Sequence, residues 1–164
     1  MKKIIIIRHA KSDWETGVSD FDRSLNIRGL KAASYLSTVL KRMQVTPDYV
    51  ICSPAKRTSE TATLLLKQLF DVKKIDYQES IYNATFFEIF KLITSDLDDT
   101  IENLVIVGHN PGVSELVEYL SSANLGCLPS CSCVCLSTDL DSWQLASKDM
   151  FSMEWNIYPK MFSF

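Results

Sequence analysis

Four consecutive isoleucines, Ile4 to Ile7, stand near the start of the chain and give way at once to Arg8-His9. A run this short and this β-branched reads as a strand buried on both faces, the kind found in parallel sheets covered by helices on each side. Two further runs obey the same rule. Leu104-Val105-Ile106-Val107-Gly108 ends in His109, and Asp48-Tyr49-Val50-Ile51-Cys52 ends in Ser53-Pro54-Ala55-Lys56-Arg57. In open α/β sheets the functional groups gather just beyond the carboxyl ends of the strands, so both histidines of the chain and two arginines are directed to one edge.

Between these runs the apolar spacing becomes helical. Leu30, Ala33, Leu36, Val39 and Leu40 define an inward stripe on a helix from about Ile27 to Met43. Ala55, Thr58, Ala62, Leu65, Leu66 and Leu69 do so from Pro54 to about Phe70. A short strand at Lys74–Tyr77, a helix at Thr85–Leu97 and a helix from Pro111 to about Ser121 complete the alternation. This order predicts a three-layer α/β/α fold with a mostly parallel central sheet joined by right-handed crossovers. In the C-terminal third, Cys131–Ser137 and Trp143–Ala146 read as two strands joined by a turn, which should add an antiparallel edge, and the aromatic segment Met150–Trp155 should pack back on the domain. At 164 residues and 46% hydrophobic, the chain is expected to form one domain, residues 1–164, with no cap domain.

Ser53-Pro54 and Asn110-Pro111 each place a capping side chain before a proline, which predicts two helix starts facing the histidine edge. Free N–H groups and the positive end of a helix dipole favour anions there. The polar stretch from His9 to about Asn26 is long for a βα connection, and loops of that length beside candidate residues usually belong to the site.

A net charge of −3 with interspersed signs argues against nucleic-acid or anionic-membrane binding. Lys2-Lys3 before four isoleucines imitates an export signal, but the apolar stretch is shorter than the roughly 7–15 residues such a signal needs. No run approaches the about 18 apolar residues of a membrane helix, and a cytoplasmic protein is expected. Cys127, Cys131, Cys133 and Cys135 crowd together without the paired-knuckle spacing of a zinc site. The last three alternate along a strand and so should share one buried face, as small hydrophobes.

Arg8-His9-Ala10-Lys11-Ser12, the block Ser19-Asp20-Phe21-Asp22-Arg23-Ser24-Leu25-Asn26-Ile27-Arg28-Gly29, then Ser53-Pro54-Ala55-Lys56-Arg57-Thr58-Ser59-Glu60-Thr61 and Val107-Gly108-His109-Asn110-Pro111-Gly112 together resemble the histidine phosphatase superfamily, and within it the small SixA-like phosphohistidine phosphatases. Tyr82-Asn83-Ala84, Leu128-Pro129-Ser130, Trp143 and Pro159 extend the resemblance over nearly the whole chain. Where relatives often carry glycine and small aliphatics after Leu-Pro-Thr, this chain has Ser130 and the cysteines.

The resemblance implies that His9 is the nucleophile, forming a phosphohistidine enzyme intermediate, and that Arg8, Arg57 and His109 are catalytic and bind the phosphoryl group. Guanidinium forks match phosphoryl oxygens, and at about 4 Å and an effective dielectric near 20 each contact is worth roughly 4 kcal/mol before desolvation, so no metal or other cofactor is required. Lys11 and Ser12 are candidate substrate-binding residues, with Lys56 also near the rim. A general acid is harder to place: Glu79, Glu88, Asp13, Asp20 and Asp22 are all available, and no inserted segment supplies a further carboxylate. A leaving imidazole needs little acid. The resemblance therefore implies a metal-independent phosphatase for phosphohistidine on proteins such as histidine phosphotransfer domains. A small-molecule phosphomonoesterase and a non-catalytic phosphate-binding module are the alternatives.

Overall fold

A computed structural model describes the whole chain, Met1–Phe164. Its strands are β1 (Lys2–Arg8), β2 (Tyr49–Cys52), β3 (Asp76–Tyr77), β4 (Asn103–Gly108), β5 (Cys133–Thr138) and β6 (Ser152–Ile157), and its helices α1 (Ile27–Arg42), α2 (Lys56–Leu66), α3 (Phe86–Asp96) and α4 (Gly112–Ser121). The strands form one sheet in the order β3-β2-β4-β1-β5-β6. The first four run parallel, while β5 and β6 are antiparallel to their neighbours.

Period-two alternation in the isoleucine run explains the layers. Ile5 and Ile7 pack with Ala33, Leu36 and Leu40 of α1 and Ala62, Leu65 and Leu66 of α2. Ile4 and Ile6 turn to the other face, against Ile89 and Ile93 of α3 and Val113, Leu116, Val117 and Leu120 of α4. Each of these buried isoleucines contributes about 1.5–3 kcal/mol of apolar burial. Cys131, Cys133 and Cys135 share the first face, as their spacing requires, and burial pushes the Cys131 thiol up to about 12 and the Cys135 thiol up to about 11. All five cysteines are free.

Strand β1 sits beside β4 in parallel register, with Arg8 opposite Gly108. The chain leaves β1 toward α1 on one face and leaves β4 toward α4 on the other. A crevice opens where neighbouring strands diverge in this way, and Arg8, His9 and His109 stand at it.

Several expected boundaries move. Trp143–Leu145 is a single 3₁₀ turn rather than a strand, and the antiparallel edge is Ser152–Ile157. Trp143 is fully buried and its indole N–H donates to Ile101 O at 2.8 Å. With Ala146 also buried, inward residues recur three apart, the period of a turn and not of a strand. A register shift at Cys135/Leu136 breaks the regular pairing of β5 with this edge. Residues Val72–Lys74 form another 3₁₀ turn, leaving β3 only two residues long, and α2 ends at Leu66 rather than Phe70. Leu30 of the expected inward stripe is exposed.

Ser53 and Asn110 do not cap helices. Helix α2 starts at Lys56 and α4 at Gly112, preceded by Ala55 and Pro111 with no capping side chain. Ser53 Oγ instead lies 2.8 Å from His109 Nε2 and accepts the Ala55 N–H just before α2, and Asn110 Oδ1 accepts the Ser114 hydroxyl across the first turn of α4.

Candidate active site

Arg8 is the last residue of β1, and the backbone N–H of His9 donates to Gly108 O, so strand pairing fixes where the first histidine leaves the sheet. The imidazole of His9 is oriented by its own next residue: Nδ1 lies 2.7 Å from Ala10 O, and a carbonyl can only accept. That pattern assigns the proton to Nδ1 and leaves the lone pair on Nε2. Arg57 Nε donates to that atom at 3.3 Å. The peptide N–H of Ala10 is held by Thr61 Oγ1, whose hydroxyl donates to Arg57 O, so one threonine of α2 ties the histidine loop to the arginine.

His109 follows β4 and is buried, with Nε2 2.8 Å from Ser53 Oγ. The two imidazole centroids lie 5.3 Å apart, and the Tyr82 ring meets His109 edge-on. Arg8 reaches the same place from β1, anchored by an Nη1 donation to Leu128 O. Only four buried side-chain nitrogen or oxygen atoms in the protein lack a hydrogen-bond partner, and two of them, Arg8 Nε and His109 Nδ1, belong to this cluster. Unpaired buried polar groups cost free energy, so their concentration here marks a place built for a polar ligand.

Electrostatics set the proton state. Burial first, then the charges of Arg57, Arg8 and Arg23, push His9 down to about 4 against the stabilising Ala10 carbonyl. Burial and Arg57 push His109 down to about 3. Both rings are neutral at neutral pH, and a neutral Nε2 is what a nucleophile requires.

Asp20, carried by the 3₁₀ turn Asp20–Asp22 within the long loop, organises the cations. Its backbone carbonyl accepts Arg57 Nη1 at 2.6 Å, and Oδ2 accepts both Arg57 Nη2 at 3.1 Å and the Tyr82 hydroxyl. Its Oδ1 accepts Arg23 Nε. Although burial raises it, the Tyr82 hydrogen bond and the two guanidinium groups hold this carboxyl at about 2. It is ionised at working pH and holds Arg57 rather than serving as an acid.

The other candidates lie elsewhere. Glu88 belongs to a capping box, accepting the Thr85 N–H at the start of α3. Asp13 accepts from Asn26 Nδ2, Asp22 accepts from Ser19 Oγ, and Glu79 is exposed in a 3₁₀ turn. Ser12 Oγ accepts from Arg23, Lys56 is exposed at the first turn of α2, and Lys11 lines clefts beside α1 that do not include His9. Residues that single-residue reasoning passed over are Ser53, Thr61, Arg23 and Tyr82. Each lay inside a block of resemblance, but nothing in its type signalled a role until the chain was folded. No group of three or more His, Cys, Asp or Glu side chains is placed to hold a metal ion.

Residues 4–83 match the histidine phosphatase superfamily (branch 1). An uncharacterized protein of Mycobacterium tuberculosis is 33% identical over 116 residues, covering 71% of this chain and 70% of the relative. The chain belongs to the histidine phosphatase superfamily. Its fold is that of the protein histidine phosphatase SixA, whose tungstate complex superposes with a TM-score of 0.84 at 16% identity over 98% of this chain and 99% of that one. A mycobacterial glucosyl-3-phosphoglycerate phosphatase superposes with a TM-score of 0.64 at 14% identity, covering 96% and 98%. As a member of the superfamily the chain is a phosphatase-type hydrolase. No helix is long and apolar enough to cross a membrane.

Proposed function

We propose that this protein is a metal-independent phosphohistidine phosphatase acting on phosphorylated proteins, histidine phosphotransfer domains among them. One observation carries the reading: the lone pair of His9 Nε2 is met by Arg57 Nε, with Arg8 Nε and His109 Nδ1 as unpaired buried groups in the same cluster. In the first step His9 Nε2 attacks phosphorus, the phosphorus–nitrogen bond of the substrate breaks, and the leaving imidazole takes the electron pair and a proton from solvent. Arg8, Arg57 and His109 stabilise charge on the equatorial oxygens as it builds. In the second step water attacks the phosphorylated His9, the new bond breaks, and inorganic phosphate leaves with the ring restored.

What the carboxylates do supports this substrate class. Asp20 is ionised and bound to two arginines, and Glu88 is a helix cap, so neither is poised to protonate a poor leaving group. A phosphoramidate nitrogen departs without such help. Partial exposure of His9 favours a phosphorylated side chain presented on another protein over a small molecule needing enclosure.

Rapid quenching with labelled phosphohistidine should trap an acid-labile, alkali-stable phosphoenzyme in the wild type and none in His9→Ala. Arg8→Ala, Arg57→Ala and His109→Ala should each lower turnover by about 10²-fold, the usual loss for a transition-state donor. Normal turnover by His9→Ala would remove the nucleophile from the mechanism. Sugar phosphates turned over faster than a phosphohistidine peptide would point to a small-molecule phosphomonoesterase instead.

A further inference from the structure

Beside the phosphoryl site lies a second feature that the mechanism does not use. Lys11, Arg28, Lys31 and Lys160 line one cleft of about 580 Å³, with no Asp or Glu side chain among its lining residues, which also include Phe164. Each of these four side chains is exposed, and none forms an ion pair with an Asp or Glu, the two ion pairs in the protein both belonging to Asp20. This is a concentrated positive patch on a chain with 20 acidic and 17 basic residues.

The arrangement works against the helix that carries it. Helix α1 is 16 residues long, is capped by Asn26, and has no acidic residue in its first turn; Arg28 and Lys31 occupy its positive end. Cations there oppose the helix dipole and, three residues apart, each other. Acidic residues do lie close by, since Asp13 and Glu15 line an adjoining cleft that shares Lys11 and Arg28. Asp13 is committed to Asn26 Nδ2. An anionic ligand would relieve this crowding of cations at the positive end of the helix.

Chain geometry links the cleft to the catalytic pocket. Lys11 follows His9 by two residues, and Pro129, Ser130 and Cys131 form part of the wall. That same turn supplies Leu128 O to Arg8 Nη1, and the Cys131 N–H donates to His9 O at 3.0 Å. A polypeptide whose phosphorylated residue entered the pocket would have its neighbouring surface over these cations.

Resting on the phosphoprotein reading above, we propose that the Lys11–Arg28–Lys31–Lys160 cleft is a docking site for an acidic segment of the protein substrate. Specificity would then be divided, with the catalytic cluster reading the phosphoryl group and the cleft reading the carboxylates around it.

The test uses three synthetic phosphohistidine peptides, with acidic, neutral or basic flanks, and free phosphohistidine as the flank-less control. The wild type should favour the acidic peptide over the neutral one by about tenfold in KM, as several rim charge pairs acting together would give. The triple variant Arg28→Gln, Lys31→Gln, Lys160→Gln should lose that preference and keep the wild-type rate on free phosphohistidine. Binding of a fluorescein-labelled, unphosphorylated acidic peptide, read by anisotropy, should show the same loss and should weaken with salt. Equal KM values for the three peptides, or a preference that survives in the triple variant, would overturn the docking site while leaving the catalytic reading intact. If neither the phosphohistidine peptides nor free phosphohistidine were turned over, the catalytic reading would fall, and the anisotropy comparison would still decide the cleft.

Discussion

The two histidines make the stability of this protein depend on pH in a way that can be worked out in advance. Each is pushed down from about 6.5, His9 to about 4 and His109 to about 3, because burial and neighbouring guanidinium groups disfavour the imidazolium. In the unfolded chain both rings take up a proton as the pH drops below about 6.5, while in the folded protein they stay neutral. The unfolded state therefore binds more protons, and stability is lost as the pH falls from about 6.5 toward 4. At pH 5 each ring accounts for about 2 kcal/mol of this loss relative to pH 7.5, roughly 4 kcal/mol in all, a large part of the total for a domain of this size. Asp20 does not confound the measurement, since its carboxyl changes state only below about 3.8, toward about 2. Urea unfolding at pH 7.5 and pH 5, in buffers free of phosphate and sulfate, should reveal the drop, and His9→Gln should remove about half of it. With only two histidines in the chain, NMR titration assigns the cause directly. Ring resonances that titrate near 6.5, together with stability that is flat between the two pH values, would refute the burial argument and with it the account of why His9 is ready to attack.

Three further outcomes follow. Replacement of Asp20 by Asn should cost about 1 kcal/mol of stability at pH 7, a figure already reduced for the partial exposure of the carboxylate, and should lower kcat through misplacement of Arg57; unchanged kcat would show that Arg57 holds its position unaided. Across a series of phosphoryl substrates, rates should climb steeply as the leaving group becomes less basic, and Glu79→Gln and Glu88→Gln should leave phosphohistidine turnover unaltered, whereas a flat series with a large loss in either variant would identify a working acid. Gly29→Ala places a Cβ 2.2 Å from Lys11 O, so urea unfolding should show a loss of about 1–3 kcal/mol, the usual cost of overpacking, and no loss would mean the loop moves freely off α1.

What could be read before folding was what depends on local period. The isoleucine run alternates faces as a strand must, and the helices expected on both sides of the sheet do cover it, α1 and α2 on one face and α3 and α4 on the other. The edge of the sheet was misplaced because Trp143 looks like a strand residue by type, while its burial and its hydrogen bond to Ile101 belong to a turn. Ser53 shows the same difficulty at the site. Its position before a proline made a helix cap the natural reading, and only β2 lying next to β4 brings its hydroxyl to His109. Asp20 could be named as a carboxylate in the right loop, but whether it donates a proton or holds an arginine depends on Arg57, Arg23 and Tyr82, which come from three separate parts of the chain.

The charge within the site accounts for both the depressed histidines and the ligand it suits. With both rings neutral, Arg8, Arg23 and Arg57 against Asp20 leave two positive charges, three minus one, in the cluster. A phosphoryl group carries about 1.5 to 2 negative charges and so nearly cancels them. Before it arrives, burial and the arginines keep the His9 Nε2 unprotonated; once it is bound, the charge of the same arginines is offset. On the proposed mechanism, the neutral His109 ring, with Nε2 against the Ser53 hydroxyl, would hold Nδ1–H toward an equatorial oxygen as charge builds there. Arg57→Gln would loosen this coupling: the His9 titration should move up and phosphate should bind more weakly.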